Sequence, residues 1–117
     1  MNIKQFSILT NISPHTLRYY EKMGLLKQIE RNTSGHRNFT QKDVVWVEFI
    51  KRLKETGMPL KQILKYADLR NIGLSTSELR MQILEKHAVL LEEKIAEEQS
   101  HLQMLRQKIQ YYRTIID

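Results

Sequence analysis

Ser13-Pro14-His15-Thr16-Leu17-Arg18-Tyr19-Tyr20-Glu21-Lys22-Met23-Gly24 carries both ends of a short helix in its own residues. Ser13 is a good N-cap, because its hydroxyl can accept from the orphan amides of a first helical turn. Pro14 then falls at the first helical position, where its missing N–H costs nothing. Gly24 suits the left-handed residue that ends a helix. Immediately upstream, Asn2-Ile3-Lys4-Gln5 opens another helix, with Asn2 as cap and Gln5 able to reach back in a capping box. Phe6 and Leu9 are expected on one face of it, and it fades at Asn11-Ile12. Two short helices separated by about three residues read as a helix-turn-helix.

Downstream of Gly24 the period changes. The runs Leu26–Ile29 and His36–Phe39 flank Arg31-Asn32-Thr33-Ser34-Gly35, whose Asn, Ser and Gly are turn formers. A β-hairpin is expected there, in the position of a wing. Thr40-Gln41-Lys42-Asp43 restarts a helix, with Thr40 capping and Asp43 near the positive end of the dipole. Val44, Val47, Ile50 and Leu53 form its buried stripe, and Gly57 and Pro59 stop it. Leu60, Ile63, Leu64 and Ala67 mark the next amphipathic helix, ending near Gly73. Ser75-Thr76-Ser77-Glu78 has the form of a third capping box.

From Met81 a seven-residue repeat runs to the end. Met81, Ala88, Ile95, Leu102, Ile109 and Ile116 occupy position a; Leu84, Leu91, Leu105 and Tyr112 occupy d, with Glu98 as the exception. A lone surface helix needs no such seam, so the pattern predicts a coiled coil. At ~1.5 Å per residue the helix reaches roughly 50 Å, and the other ~75 residues are too few to cover it. The dimerisation residues are therefore Leu84, Ala88, Leu91, Ile95, Leu102, Leu105, Ile109 and Tyr112. Position e holds Glu85 and Glu92 early, then Arg106 and Arg113 late. An antiparallel pair sets Glu85 against the partner's Arg113 and Glu92 against the partner's Arg106. A parallel pair sets Lys108 against the partner's Arg113. Lys94 facing the partner's Lys108 is the defect of the antiparallel form, yet the balance favours it. Such a coil would hold two basic heads at opposite ends of a rod.

The 117 residues allow one modest core. Hydrophobic residues at 41% and charged residues at 27% exclude a disordered chain. Cysteine is absent, which excludes disulfides, thiolate metal sites and thiol redox sensing. With no apolar signal region and no membrane-spanning run, a cytoplasmic protein is expected. Net charge is +6 and unevenly placed: residues 1–65 hold 12 basic and 5 acidic side chains, and residues 66–117 hold 7 and 8. A basic half joined to a near-neutral half fits a polyanion-binding module with a non-binding attachment. The fold class is thus mainly α with a small β-hairpin: a winged helix-turn-helix over 1–73, then a long antiparallel coiled-coil dimerisation helix over 74–117.

The stretch Ser13-Pro14-His15-Thr16-Leu17-Arg18-Tyr19-Tyr20-Glu21, followed by Arg31-Asn32-Thr33-Ser34-Gly35-His36-Arg37-Asn38-Phe39 and Gly57-Met58-Pro59-Leu60-Lys61-Gln62-Ile63, resembles the MerR family of bacterial transcription regulators. The resemblance covers the whole chain, in the order helix-turn-helix, hairpin wing, two-helix second wing and terminal dimer helix. It implies a sequence-specific, DNA-binding regulator whose second helix lies in the major groove. It also implies an antiparallel homodimer that bends and untwists an over-long promoter spacer, with RNA polymerase at the same promoter. Effector binding, where there is a small effector, turns that distortion into activation. Carried over by residue, His15, Thr16, Arg18 and Tyr19 face the groove, Arg37 and its neighbours serve the first wing, and Lys61 meets a phosphate in the second. The family usually has Tyr where His36 and Phe39 stand, and Phe39 offers no hydroxyl to a phosphate. The metal- and thiol-sensing branches carry cysteines that this chain lacks, so their effectors do not transfer. No C-terminal ligand domain is expected after Asp117.

The chemistry of these residues is compatible with that assignment. Arg18 can donate in pairs to guanine or grip a phosphate. Tyr19 and Tyr20 are adjacent and must point apart; Tyr19 is expected on DNA and Tyr20 in the core. Arg31 and Arg37 suit backbone or minor-groove contacts. Lys61 follows an amide-rich helix start, a natural phosphate site. Trp46, Phe49 and Tyr66 could line an apolar effector pocket, but aromatic residues at helical spacing are more often core. His87 and His101, both at g, are expected to be solvated. No His/Asp/Glu cluster has ligand spacing and no nucleophile sits in a reactive setting, so no enzyme, metal or cofactor is expected. The competing reading is a protein-interaction adaptor with a winged domain and a dimerising coil. An RNA regulator lacks the exposed aromatic platform such modules use.

Overall fold

The computed structural model describes residues 1–27 and 29–116. The elements, in order, are α1 (Ile3–Thr10), α2 (Pro14–Met23), β1 (Glu30–Arg31), β2 (Arg37–Asn38), α3 (Gln41–Glu55), α4 (Leu60–Ile72), a 3-10 turn (Leu74–Thr76) and α5 (Ser77–Ile116). Two compact units result, Met1–Met81 and the remainder from Gln82. The mainly helical winged fold with one small hairpin and a long C-terminal helix is as expected.

The helix starts follow from their caps. Asn2 Oδ1 accepts from the Gln5 amide at 2.8 Å, and the Asn2 amide donates back to Gln5 Oε1 at 2.9 Å. Ser13 caps α2, and Thr40 and Asp43 form a full capping box on α3. Gly24 ends α2 at φ +90°. On α1 the inner face differs from the expected one: Phe6 and Thr10 are buried, while Leu9 is 55% exposed. Residues four apart lie about 40° from each other around a helix, residues three apart about 60° the other way. The stripe turns towards Thr10, whose hydroxyl donates to the Phe6 carbonyl at 2.8 Å.

The hairpin also differs. The first strand is not Leu26–Ile29 but Glu30–Arg31, paired antiparallel as Glu30 with Asn38 and Arg31 with Arg37. The reason lies at the end of α2. The Leu25 and Leu26 amides both donate to the Tyr20 carbonyl, at 2.9 and 3.2 Å, and both side chains are buried. These leucines complete a helix terminus, and pairing begins only after them. Gln28, within the expected run, lies outside the described residues, as does Asp117 at the end of the expected dimer segment. The turn is held by Asn32, whose Oδ1 accepts from the Ser34 and His36 amides at 3.0 Å each.

The core joins Phe6, Leu17, Leu25, Leu26, Val47, Ile50 and Ile63. Phe39 packs on Phe6 with ring centroids 4.2 Å apart, so its ring serves the core. Val44, Val47, Ile50 and Leu53 are all buried on α3. Trp46 and Tyr66 stack at 5.9 Å with Phe49 beside them, and Arg70 lies 4.2 Å over the Trp46 ring. These aromatics fill the α3–α4 core. Burial lowers the Arg70 pKa from its ordinary value, against the raising field of Asp43. The expected capping box at Ser75–Glu78 is replaced by the 3-10 turn running straight into α5. Thr76 spends its hydroxyl on the carbonyls of Leu69 and Gly73, at 2.6 and 2.8 Å, tying the end of α4 to the turn.

Candidate nucleic-acid interface

Helix α2 is set by its inner side. Leu17 and Tyr20 are buried, and the Tyr20 hydroxyl accepts from Lys54 Nζ at 3.1 Å. With those two residues anchored, the 3.6-residue period turns His15, Arg18, Tyr19 and Lys22 outward, and all four are exposed. Tyr19 is 44% exposed against 5% for Tyr20, so the adjacent tyrosines part as expected. Thr16 is half-buried; its hydroxyl and amide both engage Ser13 Oγ, at 2.9 and 3.1 Å.

The wing is clasped to this helix. Glu21 accepts from Arg31 Nη2 at 3.2 Å and from Arg37 Nε at 2.5 Å. Arg31 also donates through Nη1 to the Gly35 carbonyl at 3.2 Å. On its other edge the wing is tied to the N-terminus. The Phe39 amide donates to the Met1 carbonyl at 2.7 Å, and the Met1 ammonium donates to Asn38 Oδ1 at 3.0 Å.

Between these ties lies a cleft of about 640 Å³, lined by residues 1–4, Arg18, Arg31, Asn32 and residues 35–38. Lys4, Arg18, Arg31 and Arg37 give it four cationic side chains, and none of the lining side chains is acidic. These cations, two of them paired to Glu21, and the amides of Asn2, Asn32 and Asn38 offer contacts to phosphates at the edge of the cleft. The structure thus brings together three expected residues, Arg18, Arg31 and Arg37. His15, Thr16 and Tyr19 stand on α2 outside the lining, and Lys61 is exposed on the first turn of α4, also outside it. Among the described residues no group of three or more His, Asp or Glu could hold a metal ion.

Along α5 the expected seam residues are half-buried to exposed within the chain. Ile95, Leu102, Leu105, Ile109 and Tyr112 are 46–62% exposed, Ala88 is exposed, and Leu84 and Leu91 are half-buried. No helix among the described residues is long and apolar enough to cross a membrane.

Residues 1–69 match the family model for the MerR HTH family regulatory protein, and residues 44–110 match that for the MerR DNA-binding segment. The chain belongs to the MerR family. An uncharacterised HTH-type transcriptional regulator of Haemophilus influenzae is 40% identical over 86% of this chain and 75% of its own length. A putative MerR family regulator from Listeria monocytogenes superposes with a TM-score of 0.91 at 35% identity, covering 97% of this chain and 86% of that one. HiNmlR, described as a MerR family regulator lacking the sensor domain and bound to promoter DNA, superposes at 0.86 and 35% identity, covering 97% and 90%. As a MerR family member the chain is a transcriptional regulator and not an enzyme.

None of Asn2, Lys4 and Lys22 is among the site residues expected from the sequence; the first two line the cleft and the third is exposed on α2. Lys22 could have been found, since it continues the spacing of His15, Arg18 and Tyr19 on one helix face. Lys4 and Asn2 could not, because long-range hydrogen bonds of Met1 with Asn38 and Phe39 carry them to the wing.

Proposed function

We propose that this regulator binds promoter DNA as a homodimer, with α2 in the major groove and the wing on the neighbouring backbone. The observation that carries this reading is the cationic cleft in which Arg18 of α2 meets Arg31 and Arg37 of the wing. In it Arg18 donates to a guanine edge or a phosphate, Tyr19 and His15 meet base edges or backbone, and Thr16 sits at the helix start. Arg31 and Arg37 hold backbone or minor groove. Lys61 meets a phosphate at the amide-rich start of α4, where Pro59 supplies no side-chain cap. Residues 1–73 form the DNA-binding domain and 74–117 the dimerisation helix, paired antiparallel through Leu84, Ala88, Leu91, Ile95, Leu102, Leu105, Ile109 and Tyr112. The dimer bends and untwists a promoter spacer for RNA polymerase, in the cytoplasm, and a small effector can modulate that distortion. The DNA-bound HiNmlR structure supports the first part of this reading.

The test is selection of duplexes from a random pool, followed by binding to the winner over a range of salt. Each phosphate neutralised should add about 0.9 to the log–log slope. Arg18→Ala should weaken the selected complex by about 1–3 kcal/mol and relax the choice of base beneath it. A protein that enriches no duplex from the pool would defeat the proposal.

A further inference from the structure

Arg31 and Arg37 are paired directly across the hairpin. Like charges in that relation repel. Both nevertheless converge on one carboxylate, Glu21, which is 25% exposed and stands three residues beyond Arg18 on α2. Glu21 itself is absent from the lining of the cleft, whereas both arginines and Arg18 line it. The carboxylate therefore binds the arginines on α2 and leaves the cleft cationic. Two points on the wing are thereby fixed to the helix that carries Arg18.

We infer that Glu21 is a positioning residue for DNA recognition: it sets the wing arginines in one register against α2. This rests on the DNA-binding reading above. An acid placed so near phosphates has opposed effects. Its charge weakens attraction to any duplex. Its grip fixes both guanidinium groups before DNA arrives, and phosphate contacts that are fixed in place set the register of the specific complex. Neutralising it adds one unit of positive charge, which steepens the salt slope by up to about 0.9 and strengthens binding to any duplex up to about eight-fold at ~0.1 M salt. It also frees two long side chains, whose ordering then lowers affinity for the specific site by at least about five-fold. The gain is common to all duplexes and the loss is confined to the specific one.

The experiment compares wild type and Glu21→Gln on the duplex selected by wild type and on a scrambled duplex of the same length. It is repeated in an Arg31→Gln/Arg37→Gln background. Scrambled-duplex affinity is expected to rise, while the ratio of selected to scrambled affinity falls at least about five-fold. In the double-arginine background that fall in the ratio should vanish, because Glu21 has nothing left to hold. An unchanged ratio, a parallel loss on both duplexes, or an equal fall in the background overturns the inference. If wild type selects no duplex at all, the DNA-binding reading fails first and this one falls with it. A wild type that selects a duplex while Glu21→Gln keeps the ratio overturns the positioning role alone.

Discussion

At the scale of single residues, the end of α2 decides where the wing starts. Gly24 takes φ +90° and ψ 8°, and its amide donates to the carbonyls of Glu21 and Tyr20. A Cβ built there would stand 3.2 Å from Lys27 Cε, the mobile part of a long side chain that can move aside. The penalty for a side chain is therefore backbone strain, about 1–2 kcal/mol for an L-residue in this region. Gly24→Ala is expected to lower the unfolding free energy by that amount in urea, with the slope of the transition unchanged. Gly24→Asn should lose less, since Asn tolerates the left-handed region. Asn11 already shows this at the end of α1, at φ 57°. An alanine variant with the wild-type midpoint would mean that strain does not hold this turn.

At the scale of elements, one side chain couples α3 to that same terminus. Trp46 Nε1 donates to the Leu25 carbonyl at 2.7 Å, in the buried region between the second helix and the wing. Trp46→Phe keeps an aromatic ring beside Phe49 and Tyr66 and removes the donor. The carbonyl left without it should cost about 1–3 kcal/mol, read as a lower midpoint in thermal or urea unfolding. An unshifted midpoint would show that water replaces the indole. This bond marks the boundary of what could be read from the sequence. The caps at Asn2, Ser13 and Thr40 and the stop at Gly24 were legible because each acts within about four residues of itself. The strand limits were not, because Leu25 and Leu26 look like strand residues until their amides are seen to close α2. The turn at Leu74–Thr76 was hidden similarly, since Thr76 turned its hydroxyl back to Leu69 instead of forward to a helix start. For the site, Arg18, Arg31 and Arg37 were legible as cations in a wing and its helix. Their common partner Glu21 was not, since an acid in a basic motif carries no local signal of what it holds.

At the scale of the whole molecule, the proposed dimer covers the apolar seam of α5 with a second copy, and the charges beside the seam favour one direction. Ile95, Leu102 and Ile109 are about half exposed in one chain, and in the proposed dimer their burial would contribute about 25 cal/mol per Å². That apolar term is nearly blind to orientation, so the e positions must choose. In the antiparallel pair Glu85 meets the partner's Arg113 twice per dimer, by symmetry. Each exposed pair contributes about 0.2–1 kcal/mol, so losing both weakens the dimer by about two-fold to thirty-fold. Glu85→Arg alone and Arg113→Glu alone should each raise the dissociation constant by at least that much, because attraction becomes repulsion. The double variant Glu85→Arg/Arg113→Glu exchanges the partners' charges and should return near wild type. A parallel pair behaves differently: there Arg113 stands against the partner's Lys108, so Arg113→Glu alone would tighten the dimer. Sedimentation equilibrium on the four proteins at low salt separates the cases, and tightening by the single Arg113→Glu change would reverse the proposed direction of the coil.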